Sequence, residues 1–166
     1  MIGPTPALKD YLIDANPHDQ FWDVLELTHP GWTRSYVLSN TWTRRIVIAE
    51  DGRYLETMPL GFQVDLPGAG TKGRQDMSVL IDNVDAEVWQ ALEIAQQQPQ
   101  FPIRVVWRAY LDSDTTAPAA NPITLYAYQV VATVSTVQLT ASRSDIINNK
   151  WPGVVYRPER WPGLIR

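Results

Sequence analysis

Gly68-Ala69-Gly70-Thr71-Lys72-Gly73 matches the glycine spacing G-x-G-x-x-G, which lets a backbone close on a dinucleotide pyrophosphate. That chemistry needs the third glycine to open a helix whose N-terminus faces the phosphates. Here Gln75 to Val84 reads as a strand and no βαβ unit surrounds it, so the segment is expected to be a loop without a cofactor. Gly73 also stands where a Walker A loop requires Ser or Thr to hold magnesium. His18 and His29 are the only histidines, and Asp14, Asp19 and Asp23 lie near the first. Their spacing is no recognised ligand pattern, and Asn16-Pro17-His18-Asp19 and His29-Pro30-Gly31 read as turns. Ser78 and Ser142 lack the G-x-S-x-G setting, and two histidines near the N-terminus make a triad improbable. A hydrolase built on paired carboxylates would need two converging Asp or Glu residues, and no pair stands out. With no cysteine, thiolate nucleophiles, disulfides, iron–sulfur clusters and Cys-ligated zinc are excluded. The sequence thus predicts no catalytic residue, no cofactor and no metal.

The elements that would position any site are mostly strands. Thr5 to Asn16 can make one or two turns of helix before Asn16-Pro17 stops it, and residues 1–20 read as an N-terminal arm. Phe21 to Thr28, Thr33 to Leu38 and Arg45 to Ala49 are β-rich, and Glu50-Asp51-Gly52 signals a hairpin. Gly61 to Leu66 alternates Phe62, Val64 and Leu66 against polar residues, the period of a half-buried strand. Met77 to Val84 is a further strand. Val88, Trp89, Leu92 and Ala95 then recur at helical spacing, which predicts an amphipathic helix over about residues 85–97 with Asp85 as N-cap. Ile103 to Leu111 and Ile123 to Val137 read as strands around the polar loop Asp112 to Pro122. The fifteen residues of the second would span roughly 50 Å, so it is expected to bend or to run the height of a tall sheet, with Leu139 to Ile147 pairing beside it. The fold class expected is mainly β, an antiparallel β sandwich or open barrel with one flanking α-helix over residues 21–148. Residues 149–166 carry Trp151-Pro152-Gly153 and Trp161-Pro162-Gly163, a spacing that leaves room for neither a regular strand nor a helix. This C-terminal arm is expected to dock through its side chains.

The 166 residues are 45% hydrophobic and 19% charged, which fits one globular domain rather than a disordered chain. A net charge of −4 argues against a groove that binds nucleic acid by neutralising phosphates. No apolar stretch of about 18 residues is present and the N-terminus lacks a signal-peptide pattern, so folding in a cytoplasm is expected, with no membrane partner. The seven Trp, seven Tyr and eleven Arg are the residue types that concentrate binding energy at protein interfaces. Trp22, Trp42, Trp89 and Trp107 are read as lying in strands or the helix and as packing in the core. Trp151, Tyr156, Arg157, Arg160, Trp161 and Leu164 read instead as subunit-interface residues.

Tyr156-Arg157-Pro158-Glu159-Arg160-Trp161-Pro162-Gly163-Leu164 resembles the closing signature of a family of small phage and prophage proteins of unknown-function designation, encoded among siphophage tail-tip genes. Leu25-Glu26-Leu27-Thr28-His29-Pro30, Gly61-Phe62-Gln63-Val64-Asp65-Leu66-Pro67 and Val79-Leu80-Ile81-Asp82-Asn83-Val84-Asp85 fit in order, so the likeness spans about Phe21 to Leu164. The resemblance implies a minor tail or distal-tail protein, similar to the N-terminal domain of lambda-type tail-tip protein L, with a tail-tube-like fold. It departs from that protein in lacking every cysteine, so no metal-cluster domain carries over. It implies a structural, non-enzymatic virion component assembled in the host cytoplasm. The expected assembly is a hexameric or trimeric ring in the tail tip, or baseplate, between tail tube protein and receptor-binding hub proteins. Genomic DNA would pass through the ring without specific binding, past acidic residues lining the lumen and an inner wall supplied by Ile123 to Val137. The alternative is a carbohydrate- or cell-surface-binding β-sandwich module using Trp32, Tyr36 and Trp42 as an exposed aromatic cluster.

Overall fold

The computed structural model describes Lys9, Ile13 and residues 20–66, 76–82, 86–98, 100–133 and 136–143. The strands are β1 (Phe21–Thr28), β2 (Tyr36–Ser39), β3 (Ile46–Ile48), β4 (Tyr54–Glu56), β5 (Met58–Pro59), β6 (Phe62–Asp65), β7 (Asp76–Asp82), β8 (Ile103–Leu111), β9 (Ile123–Ala132) and β10 (Thr136–Ser142), with helix α1 (Ala86–Gln96) between β7 and β8. Eight strands form one sheet in the order β5-β2-β1-β8-β9-β10-β7-β6, and β3 and β4 form a separate hairpin. Pairing is antiparallel throughout except between β2 and β5.

The two edge strands, β5 and β6, are separated in sequence by Leu60 and Gly61 alone. Leu60 N–H donates to Ser39 O in β2 at 2.9 Å, and Asp82 N–H in β7 donates to Gly61 O at 2.8 Å. Pro59 and Phe62 are three Cα steps apart and so at most about 11 Å, and the sheet must curl until its edges come near each other. The fold is therefore an open barrel. Its inner face is the main core, where Leu25, Leu27, Leu38, Val79, Ile81, Val105, Leu125 and Leu139 pack with Val88, Ala91, Leu92 and Ala95 of α1. Alternation along each strand sends every second side chain inward, as β7 shows with buried Met77, Val79 and Ile81 between solvent-facing or half-buried neighbours.

The expected single strand Ile123 to Val137 is two strands. The chain turns at Thr133 to Thr136, where Thr133 N–H donates to Thr136 O at 2.8 Å and Thr133 Oγ1 lies 2.6 Å from Thr136 Oγ1. These hydroxyls close a turn that no Gly or Pro marks, and β9 and β10 pair as a hairpin with a bulge between Thr140 and Ala141. The expected partner segment Leu139 to Ile147 corresponds to β10 only as far as Ser142; residues 144–147 lie outside the described residues. Trp42, expected in the core, is 96% exposed in the loop between β2 and β3. Trp22 and Trp107 are buried, and Trp89 is half-buried against the core.

Candidate functional site

The β3–β4 hairpin lies on the outer face of β1, β2 and β8, where Val47, Ala49 and Leu55 cover Trp22, Val24, Val37 and Tyr110. Its turn, Ala49 to Arg53, closes with Ala49 N–H donating to Arg53 O and Gly52 N–H donating to Ala49 O, both at 2.9 Å. Gly52 sits at φ 81°, a left-handed conformation that a Cβ would strain. That turn delivers Glu50 and Arg53 to two charges on the sheet, Glu26 of β1 and Arg108 of β8. The partners are paired by strand register: Val24 stands opposite Arg108 and Glu26 opposite Val106, so both point outward two residues apart.

Arg108 is fully buried and Glu26 is 1% exposed. Arg108 Nε and Nη2 donate to Glu50 Oε2 and Oε1 at 2.6 and 3.0 Å, a bidentate fork. Arg108 Nη1 lies 2.8 Å from Glu26 Oε2, although off the N–H direction, so this is a charge contact and neither atom has another hydrogen-bond partner. Arg53 Nη1 donates to Glu26 Oε1 at 2.9 Å, and Arg53 Nε also holds Asp51. The Arg108 fork keeps the Glu50 carboxyl below its ordinary range against the upward pull of desolvation. Burial works against the charge on Arg108, but the fork to Glu50 and the close Glu26 carboxylate outweigh it and raise its pKa. Tyr110 is raised chiefly by burial, and its hydroxyl donates to Ile48 O at 2.9 Å. The structure thus brings together a carboxylate pair, Glu26 and Glu50, that sequence reading missed because its members lie far apart in the chain. The Arg108 fork favours the charged form of Glu50, and Glu26 is sealed from solvent between Arg53 and Arg108. The arrangement clamps the hairpin to the sheet.

His29 is likewise committed. Its Nδ1 accepts from Gly31 N–H and its Nε2 bonds Phe101 O, each at 3.0 Å, tying the β1–β2 turn to the segment before β8. Trp32 Nε1 donates to Ala91 O of α1 at 2.6 Å, and Arg34 pairs with Glu87 of the helix while lying over the Tyr36 ring. Asp23 accepts from Trp107 Nε1 at 3.0 Å and is raised by desolvation, which the Trp107 bond partly offsets. Among the described residues no group of three His, Asp or Glu side chains converges as a metal site would require. Asp14, His18, Asp19, the loop Gly68 to Gly73 and the interface set Trp151, Tyr156, Arg157, Arg160, Trp161 and Leu164 lie outside the described residues. Of the three aromatics named for a glycan platform, Tyr36 is buried and Trp32 half-buried against the core, leaving Trp42 exposed.

Two surfaces remain. A cleft of about 280 Å³ runs beside β4, walled by Arg34, Glu87, Arg44 and Glu56 over Val37 and Leu55. Among the described residues no element covers the outer face of β9, β10, β7 and β6: the register aligns Val131, Gln138, Leu80 and Gln63 in one row and Gln129, Thr140, Ser78 and Asp65 in the next.

A family model described as a domain of unknown function, DUF1833, matches residues 7–156. The chain belongs to the DUF1833 family. No curated protein matches it. The DUF1833 match covers β1 to β10 and both surfaces, so the hairpin clamp and the bare face lie within the family's domain.

Proposed function

We propose that this DUF1833 protein is a structural subunit of a long-tailed phage virion, forming a ring in the tail tip between tube and hub. The observation that carries the reading is the bare outer face of β9, β10, β7 and β6. There the barrel leaves Leu80, Tyr126 and Val131 exposed among hydroxyl and amide side chains. Exposed apolar groups set in a polar field are what a protein–protein contact uses, and a sheet surface continued from copy to copy suits a ring. The match to a family of unknown function is consistent with the sequence resemblance to small phage tail-tip proteins. Outward positions of β6 and β7 include Asp65, Asp76 and Asp82, a charge sign compatible with a channel through which DNA slides. In this reading the β9–β10 hairpin, rather than one long strand, supplies the wall.

Mass spectrometry of purified tails, followed by electron cryo-microscopy of virions, tests the reading. The expected result is a few copies per particle and a ring of density between tube and hub that accepts this fold. Absence of the chain from particles, or an electropositive channel lined by it, overturns the proposal.

A further inference from the structure

In the β3–β4 hairpin, Arg45 pairs with Thr57 and Ala49 with Arg53 through backbone bonds, which fixes the alternation of the ladder. The non-bonded positions are then Ile46 with Glu56 and Ile48 with Tyr54, whose N–H and C=O groups point away from the ladder. On the β3 side the outward Ile48 N–H is taken by Thr115 O at 2.9 Å. On the β4 side the N–H and C=O groups of Tyr54 and Glu56 have no backbone partner among the described residues. That open edge borders the 280 Å³ cleft, whose floor holds Val37, Leu55 and Met58. Tyr54 is 76% exposed. Natural proteins block or cover such edges, and an open edge beside a cleft with charged walls and an apolar floor gives an added strand both backbone partners and side-chain seats.

We propose that the β4 edge receives an extended segment, Val154-Val155-Tyr156-Arg157, from a second copy of the chain. The choice of donor rests on the ring reading above; the open edge does not. Val154 to Arg157 is bounded by Gly153 and Pro158, and although the C-terminal arm is too broken for a regular strand, a three-residue edge asks for no more than these four residues. Residues 149–166 carry four basic and one acidic residue, net +3, whereas residues 1–148 carry ten basic and 17 acidic, net −7, so the arm is drawn to the body of this protein. From Arg143 to Val154 the chain reaches up to about 36 Å, the width of a domain of this size, enough to arrive at a neighbour. Antiparallel addition with Val155 opposite Glu56 and Arg157 opposite Tyr54 sets Tyr156 beside Leu55 over Val37 and Met58, and lays the Arg157 guanidinium against the Tyr54 ring.

The test mixes two full-length chains, one carrying Tyr54→Cys and one Arg157→Cys, in a protein with no cysteine of its own. Disulfide formation is read on the concentrated protein and on tails assembled from both variants. The expected result is an interchain bond formed at least ~tenfold faster than with Gln129→Cys, on the opposite wall, as partner of Arg157→Cys. Equal rates, or a bond that forms only when both cysteines share one chain, overturn the proposal. Hydrogen exchange on the unmodified chain gives a readout independent of substitution, with the Tyr54 and Glu56 amides slowed at least ~tenfold on assembly. Amides that stay unprotected in assembled tails also overturn it. If the chain is absent from tails while the interchain bond still forms, the ring reading falls and the strand addition stands.

Discussion

Over β1, β2 and β8 the outward side chains are closed beneath the β3–β4 hairpin, whereas over β9, β10, β7 and β6 the outward rows meet solvent. One sheet therefore carries two outer surfaces of opposite character. The covered half holds a second core and a buried ion cluster, and the bare half holds half-exposed Tyr, Val and Leu between Thr, Ser and Gln. Burial on both faces commits the first half to stability, and burial on one face leaves the second free to bind.

The comparison is broken most severely at Arg108. Replacing it by Ala leaves Glu26 buried with Arg53 as its remaining countercharge and Glu50 without its fork, and the expected loss is about 3–5 kcal/mol of unfolding free energy in urea titration. The paired change Glu26→Leu with Arg108→Met removes both charges and should recover most of that loss, since apolar replacements of a buried pair are often neutral. A smaller effect is expected at the hairpin underside, where Leu55→Ala should cost about 2–4 kcal/mol, measured the same way.

Acid separates the halves in another manner. Glu50 has a lowered pKa, so its contribution is complete above the ordinary value of 4.5 and is lost as pH falls through the lowered one. Below about pH 4 amide exchange in the hairpin should accelerate while exchange in β9 and β10 does not, and Glu50→Gln should remove that pH dependence. The smallest effect belongs to the bare half. Leu80→Ser or Val131→Ser should leave monomer stability within about 0.5 kcal/mol in the same titrations while lowering the yield of assembled tails.

What the sequence made legible follows the range of the physics involved. β1 and β8 were readable because β-branched and aromatic runs end at clear polar boundaries, and α1 because its apolar spacing is helical. The hairpin turn announced itself through Glu50-Asp51-Gly52. The turn between β9 and β10 did not, since Thr133 and Thr136 are good strand formers that here use their hydroxyls against the backbone. The fold of Trp42 into solvent was equally hidden, because a Trp between short strands carries no signal of which side it faces. The clamp was invisible for a different reason: Glu26 and Arg108 meet only because β1 and β8 pair across the middle of the chain. The open edge of β4 follows from ladder alternation, which needs register rather than composition.

That central pairing also orders events in time. Phe21 of β1 pairs with Leu111 of β8, so on the ribosome β1 emerges with only β2 available and waits for the rest of its sheet. At synthesis rates of roughly 5–20 residues per second the wait is on the order of 5–20 s. During it Leu25 and Leu27 have neither helix nor barrel to enter, and such non-local topology folds slowly once complete. The nascent chain thus passes through a window in which the inward apolar side chains of its first strand are bare, and substitutions that raise the polarity of β1 should be felt first as a change in soluble yield.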